Sequence, residues 1–260
     1  MMSKVSGVLS KSDGKTLSDF GKYQVKGETV LGLPNNVITI RELGDGKLSY
    51  TRISGNETIK KLIQAKSKTT QIELTPVLPI HVPSYKTDFF FLRFEEPLYI
   101  EEDSTAKTTL SLPIEVGLFL VHRNKTSGFD FFSCDPLNSR FGLYGTPEDG
   151  KLCKHATISL DDKRITPQSF IHAQLKLEIT NELGESVRIG KIVFPVTDHH
   201  LYYRGTEVVM DGLQATIKNR VGLHVVEVMQ NPIVKPTGWN LASRDTEKTD
   251  YKFSMERGFD

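Results

Sequence analysis

The chain has 260 residues, with 33 lysines and arginines against 32 aspartates and glutamates, and a formal net charge of +1. That length suits one large domain or two ordinary ones, and the near-balance supplies no overall basic footprint for nucleic acid or an anionic membrane surface. Apolar residues make up 38%, enough for a core. No run of about 18 apolar residues occurs, so no membrane insertion is expected.

Residues 1–17 are rich in Ser, Lys and Gly, lack the apolar stretch of a secretory signal, and read as a flexible N-terminus. Val37–Ile40, the turn Gly44-Asp45-Gly46 and Lys47–Thr51 form a hairpin pattern. Ser54 and Glu57 have capping-box spacing, and Ile59, Leu62 and Ile63 then fall on one face, which predicts a short surface helix. Gln71-Ile72-Glu73-Leu74 alternates, with one face wet and one dry. Phe89 to Phe94 and Leu118 to Val121 carry apolar groups on both faces, so each is expected mid-sheet and covered on either side. Ala173, Leu175, Leu177 and Ile179 share one face of a strand, and Asn181-Glu182-Leu183-Gly184 turns the chain back into Val187–Phe194. Glu207–Met210, Gln214–Lys218 and Leu223–Val228 continue the series. Strands at this spacing point to sandwiches. The expected fold is all-β: two antiparallel, immunoglobulin-like β-sandwich domains with one short helix. The polar, Pro-broken stretch 161–167 marks a boundary, dividing residues 18–160 from 161–234, and a polar tail follows over 235–260.

No phosphate loop, GxGxxG, GxSxG elbow, HExxH or paired CxxC occurs, and no cofactor is expected. The strongest chemical candidate is Asp198-His199-His200 with Tyr202 and Tyr203. Adjacent histidines on a strand point to opposite faces, whereas on the loop after Pro195 they can converge as ligands or as an acid/base pair. Cys153 and His155 are two apart and share a strand face. With Cys134 and His122 they have the donor types of a Cys₂His₂ zinc site, without its usual spacing. Glu95, Glu96, Glu101, Glu102 and Asp103 are either a solvated edge or a cation site. Trp239, the single tryptophan, either anchors the tail or stacks on a ligand. The two cysteines read as buried thiols of a reducing compartment.

Leu112-Pro113-Ile114-Glu115-Val116-Gly117, Phe141-Gly142-Leu143-Tyr144-Gly145-Thr146-Pro147 through Gly150-Lys151-Leu152-Cys153-Lys154-His155, and Ile179-Thr180-Asn181 through Pro195 to Tyr202-Tyr203 resemble an uncharacterised archaeal family, domain of unknown function 432. The likeness runs from about Phe20 to Val228. It implies a soluble, cytoplasmic, β-rich archaeal protein with no assigned reaction, and a membrane channel component as a partner.

Three functions fit this reading. The leading one is a non-enzymatic interaction module that binds another protein or itself, since exposed strand edges are templates for partner strands. The second is a metal-dependent hydrolase using Asp198, His199 and His200. The third is a carbohydrate-binding module presenting Tyr202, Tyr203 and Trp239.

Overall fold

Alternation of apolar and polar side chains dictates the elements. Along 172–181, for example, Ala173, Leu175, Leu177 and Ile179 are buried while Gln174 and Lys176 are exposed, the period-two burial of a half-covered strand. The structure, a computed structural model, describes residues 10–12, 15–65, 70–82, 87–123, 125–135, 140–146, 148–160, 167–221 and 223–244. In chain order β1 (Ser10–Ser12), β2 (Lys15–Leu17) and β3 (Gly21–Gln24) precede a meander of β4 (Glu28–Leu33), β5 (Asn36–Gly44), β6 (Lys47–Ser54) and β7 (Glu57–Gln64). Next come β8 (Gln71–Val77), β9 (Phe89–Ile100), β10 (Thr105–Pro113), β11 (Glu115–His122), β12 (Lys125–Phe132), β13 (Arg140–Tyr144) and β14 (Lys151–Ile158). The chain then forms β15 (His172–Asn181), β16 (Val187–Pro195), β17 (Leu201–Arg204), β18 (Glu207–Met210), β19 (Gly212–Arg220), β20 (Leu223–Asn231) and β21 (Asn240–Leu241).

β1 pairs with β2, and four larger sheets follow the orders β4-β5-β6-β7, β12-β11-β8-β3, β13-β14-β9-β16 and β20-β19-β15-β18-β17-β21, with β10 on the other edge of β15. The all-β expectation holds. Most ladders are antiparallel; parallel pairing occurs where β14 joins β9 and where β18 and β19 join β15. Two antiparallel ladders join residues on either side of 161–166: β9 with β16 and β10 with β15.

The expected helix is a strand. Ser54 and Glu57 face each other across Gly55-Asn56, and Gly55 has φ +57°. This is a two-residue hairpin loop with Gly at its first position. The capping-box spacing of three residues is also the spacing of such a loop, and Ile59 and Ile63, four apart, satisfy both the helical and the strand period. Leu62 distinguishes the two: it is 72% exposed, while Ile59, Lys61 and Ile63 face inward. Lys66 and Lys68, which follow this strand and would suit the C-terminal end of a helix, lie outside the described residues.

Two further expectations change. β8 is buried on both faces, so Glu73, expected on a wet face, is buried. β9 is mid-sheet as expected, with Phe90, Leu92 and Phe94 in the core, but its other apolar side, Phe89 and Phe91, is half-exposed rather than covered. The core is aromatic: Tyr50, Phe90, Phe119, Phe170 and Phe194 are all fully buried. Asn181, also fully buried, ties the turn after β15 to the end of β9, donating to the carbonyls of Glu101 (2.9 Å) and Glu185 (2.8 Å). Among the described residues no helix is long and apolar enough to cross a membrane.

Candidate functional site

The segment after Pro195 is a loop, as expected. It does not bring Asp198, His199 and His200 into one site. Asp198 is exposed. His199 is buried with its ring 5.4 Å from that of Phe194, and neither ring nitrogen has a hydrogen-bond partner among the described residues. Burial pushes its pKa down to about 4, although Asp211 and Asp198 pull the other way. His200 is half-buried and faces Asp211, its Nδ1 2.9 Å from Oδ2.

Asp211 is the residue that organises this loop. It is fully buried between β18 and β19 and accepts hydrogen bonds from the His200 backbone (2.8 Å), Gln230 Nε2 (2.7 Å) and the Ile233 backbone (3.0 Å). Burial alone would raise its pKa; these donors and the His200 ring hold it below the ordinary carboxylate range. Arg244 closes the loop from the other side through the carbonyls of Thr197, Asp198 and His199. The sequence signal was a lone acid set between Met210 and Leu213, both apolar.

Tyr202 and Tyr203 are buried, and Trp239 is half-buried beneath the Arg204 guanidinium, 5.1 Å from its ring centre. The three rings do not form a common exposed surface. Tyr203 instead donates to Glu73 (3.4 Å), whose other oxygen accepts from Ser243 (2.9 Å). These groups line a polar cleft of about 430 Å³, with Lys22 and Arg123 also on its walls.

Cys153 and His155 share one face of β14, as the spacing predicts, but no metal cluster forms there. Cys153 is buried with its thiol pKa raised by burial, while His155 is half-buried against Phe91, ring centres 5.0 Å apart. Cys134 lies elsewhere, beside Asn36 (3.9 Å), and burial pushes its thiol up to about 12. His122 is exposed at the end of β11. Among the described residues no three His, Cys, Asp or Glu side chains are placed to hold a metal ion, and both cysteines are free. Glu95, Glu96, Glu101, Glu102 and Asp103 are all exposed.

The opposite face of β14 holds a buried ion pair whose two members, Lys154 and Glu115, are too far apart in sequence for any local pattern to join them. Lys154 alternates with Ala156 and Ile158, so it points into the core, where its Nζ lies 3.3 Å from Glu115 Oε1 and 2.6 Å from the Val82 carbonyl. Glu115 also accepts from the backbones of His81 (2.7 Å) and Val82 (3.2 Å). The adjoining cavity, about 10 Å³, has room for a single water. A second buried carboxylate, Asp130, is held by Tyr50 (2.5 Å), Arg52 (2.7 Å) and Lys61 (2.8 Å), which joins β12 to the β4–β7 meander. Burial opposes its ionisation, but these three donors keep its pKa low.

The outer face of the β13-β14-β9-β16 sheet has a different character. Register places Val193, Phe91, His155 and Arg140 in one row across the four strands, and Lys191, Arg93 and Thr157 in the next. Phe89 and Tyr144 complete the aromatic set, with Lys151 4.3 Å from the Phe89 ring centre and Lys191 5.5 Å from that of Tyr144. The positive charges of Arg93 and Arg140 join burial in lowering the His155 pKa.

No curated protein and no solved structure is detectably similar to the chain. A family model does match, over residues 20–256, so that nearly all of the strand framework described above falls within it. The chain belongs to the family described as Protein of unknown function (DUF432).

Proposed function

We propose that the protein is a non-enzymatic interaction module and that it docks another macromolecule on the outer face of the β13-β14-β9-β16 sheet. The observation that carries this reading is the second apolar side of β9: Phe89 and Phe91, together with Tyr144, remain partly open to solvent on a rigid four-stranded support. Rings held in this way supply large contact area at little entropic cost, which is the character of interface anchors. The buried carboxylates support a scaffold role: Asp130, Glu115 and Asp211 each have their hydrogen-bonding capacity taken up inside the fold. The two free, buried thiols support residence in the reducing cytoplasm.

The test compares the full chain with a Phe91→Ser/Tyr144→Ser variant as baits for crosslinked capture from extract of the source cells, after circular dichroism and urea midpoints show that both fold. A stoichiometric partner held by the parent and lost by the variant is expected. An identical set of captured molecules with both baits, or none with either, overturns the proposal.

A further inference from the structure

We infer that the macromolecule taken by this sheet face is a single-stranded nucleic acid, its bases stacking on Phe91, Tyr144 and Phe89 and its phosphates meeting Arg93, Arg140, Lys151 and Lys191. The inference rests on the docking face proposed above and names the chemistry of its partner.

The argument begins with placement. A net charge of +1 removes a general basic surface, but it says nothing about where the charges lie. On this face the register collects four cations within two strand spacings of the rings, about 10 Å, and all four are exposed. None of them makes an ion pair among the described residues, whereas Arg41, Arg204 and Lys218 elsewhere are paired with glutamates. The acids nearest in the chain sit at the margins: Asp88 precedes Phe89 at the start of β9, Glu95 and Glu96 continue β9 past Arg93, and Glu148 and Asp149 lie in the loop beyond Tyr144. The face therefore carries four cations without ion-pair partners among the described residues beside partly open aromatic rings.

That combination matches the two parts of a single strand. Unpaired bases expose π-faces, and sheet-borne aromatics accept them regardless of sequence; the phosphates between them require cations at their edges. Lys151 lies over the Phe89 ring and Lys191 over the Tyr144 ring, so two of the three rings already have a positive charge at hand, on long side chains that can swing aside to meet a phosphate. A duplex keeps its bases stacked on one another and offers only phosphates, so it uses half of the surface. An acidic peptide would meet the cations but gives the rings less to stack on.

The experiment is fluorescence anisotropy of the full chain with labelled 15-mers of dT and rU, over a salt series from 50 to 300 mM. The expected result is binding of both oligomers at micromolar protein, stronger than binding of a duplex of the same length. Four phosphate contacts give a slope of log K against log salt of about −3, at roughly −0.7 per contact. Tyr144→Ala and Phe91→Ala each weaken binding about tenfold with the slope unchanged, while Arg93→Ala and Lys191→Ala, exposed positions with little bearing on folding, each flatten the slope by about 0.7. Absence of binding at 50 mM salt, or binding that ignores both ring variants, overturns the inference. If the oligomers fail to bind while the Phe91→Ser/Tyr144→Ser bait still loses a captured protein, the partner is a protein and only the nucleic acid assignment falls. If capture is also unchanged, the docking face falls with it.

Discussion

Lys154 is the most buried cation described, 3% exposed, and it shows how a polar residue in an apolar register is tolerated. A lone ammonium in the core is strongly disfavoured; Glu115 and the Val82 carbonyl offset that cost. Removing one member of such a pair leaves the other uncompensated, so Lys154→Met is expected to destabilise the fold by about 3–5 kcal/mol in urea titrations. Glu115→Leu should cost more, because it also orphans the His81 and Val82 amides; equal losses in the two variants would show that the amides find other acceptors. His199 makes a pH-dependent contribution. Its folded pKa, about 4, lies below the ordinary value near 6.5, so on acidification the unfolded chain takes up a proton that the folded chain refuses. Stability conferred by the neutral ring is complete above about pH 6.5 and declines toward pH 4, by about 3 kcal/mol in all. The Asp130 and Asp211 carboxylates, also held at lowered pKa, have the same sign but lose their contribution at still lower pH. Between pH 7.5 and 4.5 the parent should therefore lose about 2.5 kcal/mol more than His199→Phe, and parallel losses would place the acid sensitivity elsewhere.

At the scale of elements, turn chemistry decides what strands become. Asp45 and Gly46 both have positive φ (51° and 73°) and close the β5–β6 hairpin, while Gly55 at φ +57° closes β6–β7. An alanine at position 55 meets the left-handed penalty of L-residues, and Gly55→Ala is expected to cost about 1 kcal/mol. Gly55→Asn should cost visibly less, since Asn tolerates that region; equal costs would point to a steric rather than a conformational origin. The same positions show what local sequence conveys. The Gly44-Asp45-Gly46 turn, the alternation of β15 and the turn at Asn181 were legible because all of their information lies within a few residues. The β7 segment is ambiguous because its spacings satisfy two periodicities, and only the exposure of Leu62 separates them. Apolar residues on both faces usually signal a sandwiched strand, which is why Phe89 and Phe91 are expected to be covered; that their face stays partly open is set by how β14 and β16, both distant in sequence, flank β9 in the sheet. Of the candidate site, His199 and His200 were visible by type, but Asp211 became part of that loop only through the pairing of β17 with β18.

At the scale of the whole molecule, the ladders that matter most are those the composition does not display. β9 pairs with β16 and β10 with β15, so strands before residue 161 share hydrogen bonds and core with strands after 166. Leu110 faces Leu175, Leu112 faces Ala173, Leu92 faces Ile192, and Phe90 meets Phe194 with ring centres 6.1 Å apart. At about 2 kcal/mol for each large side chain, this shared burial amounts to more than about 10 kcal/mol before any ladder hydrogen bond is counted. The cost of holding two separate chains together is about 4–15 kcal/mol, so the continuity of the backbone through 161–166 should not be required for association. A protease site inserted within 161–166 and cut after folding is expected to yield two fragments that co-elute at the mass of the intact chain in native buffer. They should separate only at urea concentrations that unfold the uncut protein. Separation of the fragments in native buffer at micromolar concentration would mean that these ladders contribute far less than their buried side chains indicate. It would also mean that the aromatic face, which draws β9 from one side of 161–166 and β16 from the other, depends on chain connectivity to hold its shape.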